Sequence, residues 1–267
     1  MGNRYKGVKR YSLPLKALGL LDTIIALIPL VALIKKLFGA GQQGVFYIPE
    51  PIVRGKQALF QSATGATSVT EDNDPVGRML DKSGNGLHAT QTVTAERMLY
   101  DSPRGLLQDQ VDDTIAISGL DLVPTTGVKT WTLCAGYSDL GNASIMFLNQ
   151  DNNDYPWIGI GEAGSSSTQF SPAGIVQELI WFNGILEYPA NRDEMFTLMA
   201  ASGVLVIEFT VSESVAVWNR PSIGRWPKGG FYGPKKFEFY MLREGSLTDS
   251  ERNDIEAYAA ESAGITL

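Results

Sequence analysis

From Gly44 to the C-terminus, short apolar or alternating runs are closed by clusters of Gly, Pro, Asn, Asp and Ser. This punctuation prescribes many short strands joined by turns. The alternation is explicit in Thr130-Trp131-Thr132-Leu133-Cys134-Ala135-Gly136-Tyr137, where Trp131, Leu133, Ala135 and Tyr137 share one face. In Val204 to Val211, Leu205, Ile207, Phe209 and Val211 form the core-facing set, and Val204, Val206, Glu208 and Thr210 the other. The strand candidates are Gln43 to Ile48, Thr114 to Ile117, Thr130 to Tyr137, Ile145 to Asn149, Trp157 to Ile160, Ile175 to Phe182, Arg192 to Ala200, Val204 to Val211, Ser214 to Trp218 and Lys236 to Arg243. Together they predict an all-β fold, a two-sheet antiparallel jelly-roll sandwich.

One helix is predicted at the end of this body. Thr248-Asp249-Ser250-Glu251 has the spacing of a capping box, in which Thr248 accepts from the Glu251 amide and Glu251 answers to the Thr248 amide. Ile255, Tyr258 and Ser262 follow on one face, and Gly264 supplies a C-terminal stop.

The first forty residues are of another kind. Residues 1 to 38 hold Arg4, Lys6, Lys9, Arg10, Lys16, Lys35 and Lys36 against Asp22 alone, a charge of +6, so a net −7 chain divides into a basic start and a body of −13. Residues 18 to 34 form an apolar run broken only by Asp22, Thr23 and Pro29 among its larger side chains. Residues 1–40 are therefore read as an anchoring or oligomerisation segment and 41–267 as the β-sandwich domain. Leu20, Ile24, Leu27, Val31 and Ile34 recur at spacings of four and three, a seam suited to a helix bundle, with Pro29 set to kink or divide it. Three destinations stay open: burial in an assembly, insertion in a membrane despite a short run carrying Asp22, and a cleaved signal despite Lys35 and Lys36 behind it.

The single Cys134 excludes an intrachain disulfide framework, and the single His88 excludes a His-clustered zinc site. The acidic total argues against nucleic acid as a partner.

Three segments resemble a known family. Pro75 to Gln91 contains Asp81-Lys82-Ser83-Gly84-Asn85-Gly86-Leu87-His88-Ala89-Thr90-Gln91, which resembles the D-K-S-G-x-G-x-H-A-T-Q signature of concanavalin-A-like (laminin-G-like) domains in tailed-phage and prophage virion proteins. Leu247 to Tyr258 resembles the L-T-x-x-E-x-x-x-I-E-x-Y ending of those domains. Gly41-Gln42-Gln43-Gly44-Val45-Phe46-Tyr47 is similar to their G-x-Q-G-V-W-Y-D-P opening, with Ile48 in place of the acid. The resemblance implies a virion protein with a lectin- or glucanase-like sandwich, placed in the tail as a fibre, collar or baseplate component. It implies other virion proteins as partners, and phage fibres favour a trimer. In the signature, His88 leads from a glycine turn into a strand, a place where an imidazole satisfies backbone groups.

The residues argue against an enzyme. Two catalytic carboxyls on one strand belong at i and i+2 or i+4, as in the E-x-D-x-E run of glucanases, but Glu178, Glu208 and Glu238 each lack an acidic same-face neighbour. No cofactor is called for, although lectin-like members of the fold bind Ca²⁺. Asp151, Asn153 and Asp154, in an Asx-rich turn, offer the hard oxygen ligands calcium prefers, as do the residues of Glu71-Asp72-Asn73-Asp74; for both stretches the plain alternative is a simple turn. Tyr155 and Trp157, with Trp226, Phe231 and Tyr232 in a Gly/Pro-rich loop, could stack on a host-surface glycan, whereas a strand Trp such as Trp157 commonly sits in a core. The expected function is docking through the hydrophobic N-terminus and display of the sandwich for assembly or host-surface recognition. A glycan-binding adhesin and a membrane-tethered module are the alternatives.

Overall fold

The computed structural model describes residues 30–53, 55–109, 111–141, 143–149, 157–215, 217–224 and 233–267, with the backbone alone for 143–149. The chain enters through helix α1 (30–38) and strand β1 (Gly44–Tyr47). Short strands follow: β2 (Ile52–Val53), β3 (Lys56–Gln57), β4 (Leu59–Phe60), β5 (Arg78–Met79), β6 (Ala89–Thr90), β7 (Leu99–Tyr100), β8 (Leu106–Leu107) and β9 (Thr114–Ile117). Longer ones succeed them: β10 (Val128–Asp139), β11 (Ala143–Asn149), β12 (Trp157–Glu162), β13 (Ile175–Phe182) and β14 (Ile185–Glu187). Helix α2 (Arg192–Ala201), β15 (Val204–Ser212), β16 (Pro221–Gly224), β17 (Lys236–Glu244) and helix α3 (Asp249–Ala263) complete the chain.

Two antiparallel sheets carry most of these strands. One runs β14-β13-β15-β10-β17-β8-β7, and β1 lies on the same edge of β17 as β8, opposite Tyr240 to Arg243. The other runs β12-β11-β16-β9-β6-β5-β4. A separate hairpin joins β2 to β3. Trp131, Leu133, Ala135 and Tyr137 of β10 and Leu205, Ile207, Phe209 and Val211 of β15 meet Met79, Ala89, Ile115, Ile117, Ile158 and Ile223 of the second sheet in one buried cluster. The side-chain alternation read from the sequence is therefore the alternation that builds the core.

Val204 and Val206, on the opposite face of β15, are also buried. They join Cys134, Phe239 and Met241 in a second cluster roofed by Leu30, Leu33, Leu37 and Phe38 of α1 and by Ile255, Ala259 and Ala260 of α3. Burial of a large aliphatic side chain contributes about 1.5–3 kcal/mol, so this roof is a substantial part of the fold. Aromatic rings pin it: Phe46 of β1 lies 5.1 Å from Phe239, 5.9 Å from Tyr258 of α3 and 6.4 Å from Phe38 of α1.

Helix α3 forms as expected. The Thr248 hydroxyl accepts from the Glu251 amide, the Glu251 carboxylate accepts from the Thr248 amide at 2.8 Å, and Gly264 closes the helix at φ 68°. Two strand expectations are corrected. Arg192 to Ala200 is helix α2, because the Asn191 side chain accepts from the Glu194 amide at 2.9 Å and Asp193 and Glu194 favour the positive helix start. Its buried Met195 and Met199 are spaced by four, the helical interval. Ser214 to Trp218 is no strand over its described residues: the Ser212 hydroxyl accepts from the Ser214 amide and tightens a turn.

Candidate functional site

The signature loop is a structural clamp. The Asp81 carboxylate is buried and accepts from five donors: the amides of Phe46 at 3.0 Å, Ser83 at 2.9 Å, Gly86 at 3.0 Å and Leu87 at 3.3 Å, and the Ser83 hydroxyl at 2.7 Å. Ser83 Oγ, whose single proton goes to Asp81, also lies 3.2 Å from the Gly44 carbonyl, and Asn85 Nδ2 donates to the carbonyls of Gln42 and Gly44. The Lys82 amide donates to the Phe46 carbonyl at 2.8 Å, and the Tyr47 hydroxyl reaches the Leu87 carbonyl. The two sequence stretches around residues 41–47 and 81–91 are thus one unit in space. His88 accepts the Asp81 amide at Nδ1, 3.1 Å away. Burial, followed by the Arg78 charge, pushes the imidazole below its ordinary value, which keeps it neutral and able to accept. Gln91 ends the motif by donating to the Thr114 carbonyl at 3.0 Å. These groups are occupied in holding backbone.

The other organised site is the helix-covered face of the first sheet. Arg243 of β17 is buried and reaches three ways: Nε donates to the Leu37 carbonyl at 2.6 Å, Nη1 to the Ser246 carbonyl at 2.9 Å, and Nη2 lies 3.3 Å from Glu251 Oε1. A cation at the last carbonyls of α1 also suits the negative end of that helix. Burial alone would raise the Glu251 carboxyl, but the Thr248 amide and hydroxyl and the Arg243 guanidinium outweigh it and hold it below the ordinary range. At the surface, Lys36 Nζ bridges Asp254 and Ser250 of α3, both at 2.7 Å. Between the helices lies a largely apolar groove of about 390 Å³, lined by Ala32, Leu33 and Lys36 on one side and Asp254, Ala257, Tyr258 and Glu261 on the other.

Of the proposed seam, Val31 is exposed and Ile34 packs partly against the second cluster; Leu20, Ile24 and Leu27 lie outside the described residues. The face of α1 turned to the domain is Leu30, Leu33 and Leu37. The aromatic candidates are not brought together among the described residues. Trp157 is buried, with the Arg192 guanidinium of α2 5.2 Å above its ring, while Tyr155, Trp226, Phe231 and Tyr232 lie outside the described residues. So do the calcium candidates Asp151, Asn153 and Asp154. The Glu71–Asp74 stretch is a turn closed by its own carboxylate: Asp74 Oδ2 accepts from the Thr70 and Glu71 amides, and Asp72 accepts from the Ser102 amide.

Sequence reasoning passed over two groupings. Ligand oxygens of Asp109, Asp112 and Asp113 lie within 4.8 Å of one another, a D-x-x-D-D spacing that was readable. Burial, followed by the neighbouring Asp109 and Asp112 charges against the Asp109 amide, pushes the Asp113 carboxyl up to about 6. Arg243 carried no such signal, since its partner Leu37 is 206 residues away.

Compared with known proteins, the chain matches no family model, no curated protein and no solved structure. The geometry therefore stands by itself. It offers two rigid clamps, one around Asp81 and one around Arg243, and among the described residues no helix is long and apolar enough to cross a membrane.

Proposed function

We propose that the chain is a bacteriophage virion structural protein of the tail, with a concanavalin-A-like jelly roll displayed on the particle and a basic, hydrophobic N-terminal segment that docks it to other virion proteins or to copies of itself. The observation that carries this reading is the Arg243 clamp. It fixes the end of the N-terminal segment, through the Leu37 carbonyl, to the central β17 and to the first turn of α3. A segment joined in this way transmits the orientation of whatever holds it to the whole domain, as an assembly contact requires and a slack tether does not. The Asp81 clamp supports the family resemblance, because it unites the two N-terminal stretches that carry it.

Mass spectrometry and image reconstruction of purified particles test the proposal. The expected result is several copies of the chain at one tail location, with residues 1–40 at the contact with the particle. Recovery of the chain in a host membrane fraction that resists high salt, with none in particles, overturns it in favour of the membrane-tethered module.

A further inference from the structure

The inner face of α3 carries a carboxylate that no part of the proposed function uses. Glu256 is 2% exposed and is sunk against the first sheet, near the Cys134 thiol of β10 and beside Gly184 in the turn between β13 and β14. Its Oε1 has no hydrogen-bond partner. Its Oε2 lies 3.9 Å from Arg252 Nε, beyond hydrogen-bonding distance. The rest of that guanidinium is engaged elsewhere, Nη1 with Asp249 at 2.8 Å and the group over the Trp181 ring at 4.7 Å, while Nε, the atom that faces Glu256, has no hydrogen-bond partner of its own. Arg252 and Cys134 are the titratable groups that act on Glu256. The surrounding strands contribute Trp181, Val204, Val206, Phe239 and Met241, all apolar or aromatic.

An ionised carboxylate in this position is buried without a hydrogen bond and has only the Arg252 cation 3.9 Å away to offset its charge, whereas the neutral acid is buried at smaller cost. We propose that Glu256 is a proton-operated latch, which holds α3 on the first sheet when neutral and loosens it when charged. Burial pushes the carboxyl up to about 7 in spite of Arg252. In the detached helix it returns to the ordinary value near 4.5. The sign follows from the proton count. Below 4.5 both states are protonated and docking is strongest; from 4.5 to 7 the detached helix has lost the proton that the docked one keeps, so docking weakens with rising pH; above 7 it levels off.

Release of α3 has a defined structural consequence. It uncovers Cys134, Val206, Phe239 and Met241, removes Asp254 from Lys36 of α1, and takes Glu251 from Arg243, the side chain that holds the Leu37 carbonyl. The latch thus controls the whole helix-covered face, whatever that face serves.

Hydrogen exchange of the full chain, read on α3 peptides, corrected for intrinsic rates and compared with Glu256→Gln across pH 4.5 to 8.5, tests this. Relative to the variant, wild-type protection of α3 should fall by up to about tenfold per pH unit between 4.5 and 7 and then level off. Arg252→Met, which removes the one nearby cation, should move the levelling point above pH 7. Parallel pH profiles for wild type and Glu256→Gln overturn the latch, as does an unmoved levelling point in Arg252→Met.

Discussion

Arg243 Nε donates to the Leu37 carbonyl at 2.6 Å, and through this bond β17 closes the C-terminal end of a helix that precedes it by about two hundred residues. The same guanidinium meets Glu251, the residue that caps α3. Helices from opposite ends of the chain are therefore held by one side chain. Removing it leaves a buried carbonyl and a buried carboxylate without their cation, which costs about 3–5 kcal/mol in comparable buried pairs. Arg243→Met is expected to lower the urea midpoint accordingly and to abolish exchange protection in α1 and the first turn of α3, with β10 and β15 less affected. Arg243→Lys should fail to restore it, because an ammonium cannot span three directions in a fork. An unchanged midpoint in either variant refutes this.

The Asp81 clamp makes a second prediction. Each hydrogen bond to a charged acceptor contributes about 1.5–3 kcal/mol, and the five at Asp81 share one carboxylate, so their sum is not additive. Asp81→Asn keeps the shape but turns an amino group toward donors. It is expected to destabilise the chain by roughly 3 kcal/mol and to loosen β1 together with residues 81–88, measured by chemical denaturation and exchange. Loosening of residues 81–88 with β1 unaffected contradicts the view that the two stretches form one unit.

His88 supplies a pH dependence of opposite sense to that of Glu256. Its folded value is depressed below the ordinary 6.5, so the folded loop binds its proton more weakly than the unfolded chain does. The contribution is present above pH 6.5 and is lost as pH falls through the folded value. Protonation also removes the Nδ1 acceptor of the Asp81 amide. Thermal midpoints of wild type and His88→Ala should differ most above pH 6.5 and converge on acidification; a constant difference argues that the imidazole only fills space.

Asp113 titrates in the same sense as Glu256. Because its folded value is raised to about 6 from an ordinary 3.8, the folded state gives up stability as pH rises from 3.8 to 6 and no more beyond. Asp113→Asn removes the charge that Asp109 and Asp112 oppose. Its thermal midpoint should exceed that of the wild type at pH 8 by more than at pH 4, in buffer containing a chelator. Equal differences at the two pH values disprove the charge argument.

The parts of the fold legible in the sequence are those set by local order. In β10 and β15 the two-residue period fixes which side chains meet in the core, and α3 declares both ends through Thr248, Glu251 and Gly264. Strands β2 to β8 were not legible, since two-residue strands such as Arg78–Met79 have no period to read. Helix α2 was misread because ten residues with Met195, Phe196, Leu198 and Met199 show alternation and helical spacing at once, and only the Asn191 cap decides between them. The burial of Val206 was hidden for a different reason: it depends on α1 and α3 reaching the outer face of the sheet from distant positions. Within the candidate site, the backbone role of His88 was legible from its place after a glycine turn, while Arg243 and Glu256 become meaningful only once the helices are docked.

Helix α2 meets the second sheet at Gly161 of β12. A Cβ at that position would lie 2.9 Å from Phe196 Cα, 3.0 Å from Phe196 N and 3.0 Å from Met199 Sδ. Two of these atoms are backbone, so no side-chain rotation relieves the contact and the helix itself has to move. Such overpacking costs about 1–3 kcal/mol. The displacement would pass to the Tyr137 hydroxyl, which pairs with Ser202 Oγ at 2.9 Å and the Met199 carbonyl at 3.1 Å at the end of α2. Gly161→Ala is expected to lower the melting midpoint and to raise exchange in α2 while α3 stays protected, since α3 packs on the other sheet. A variant that melts with the wild type, or that loosens both helices equally, shows that α2 is not seated on Gly161 as the structure has it.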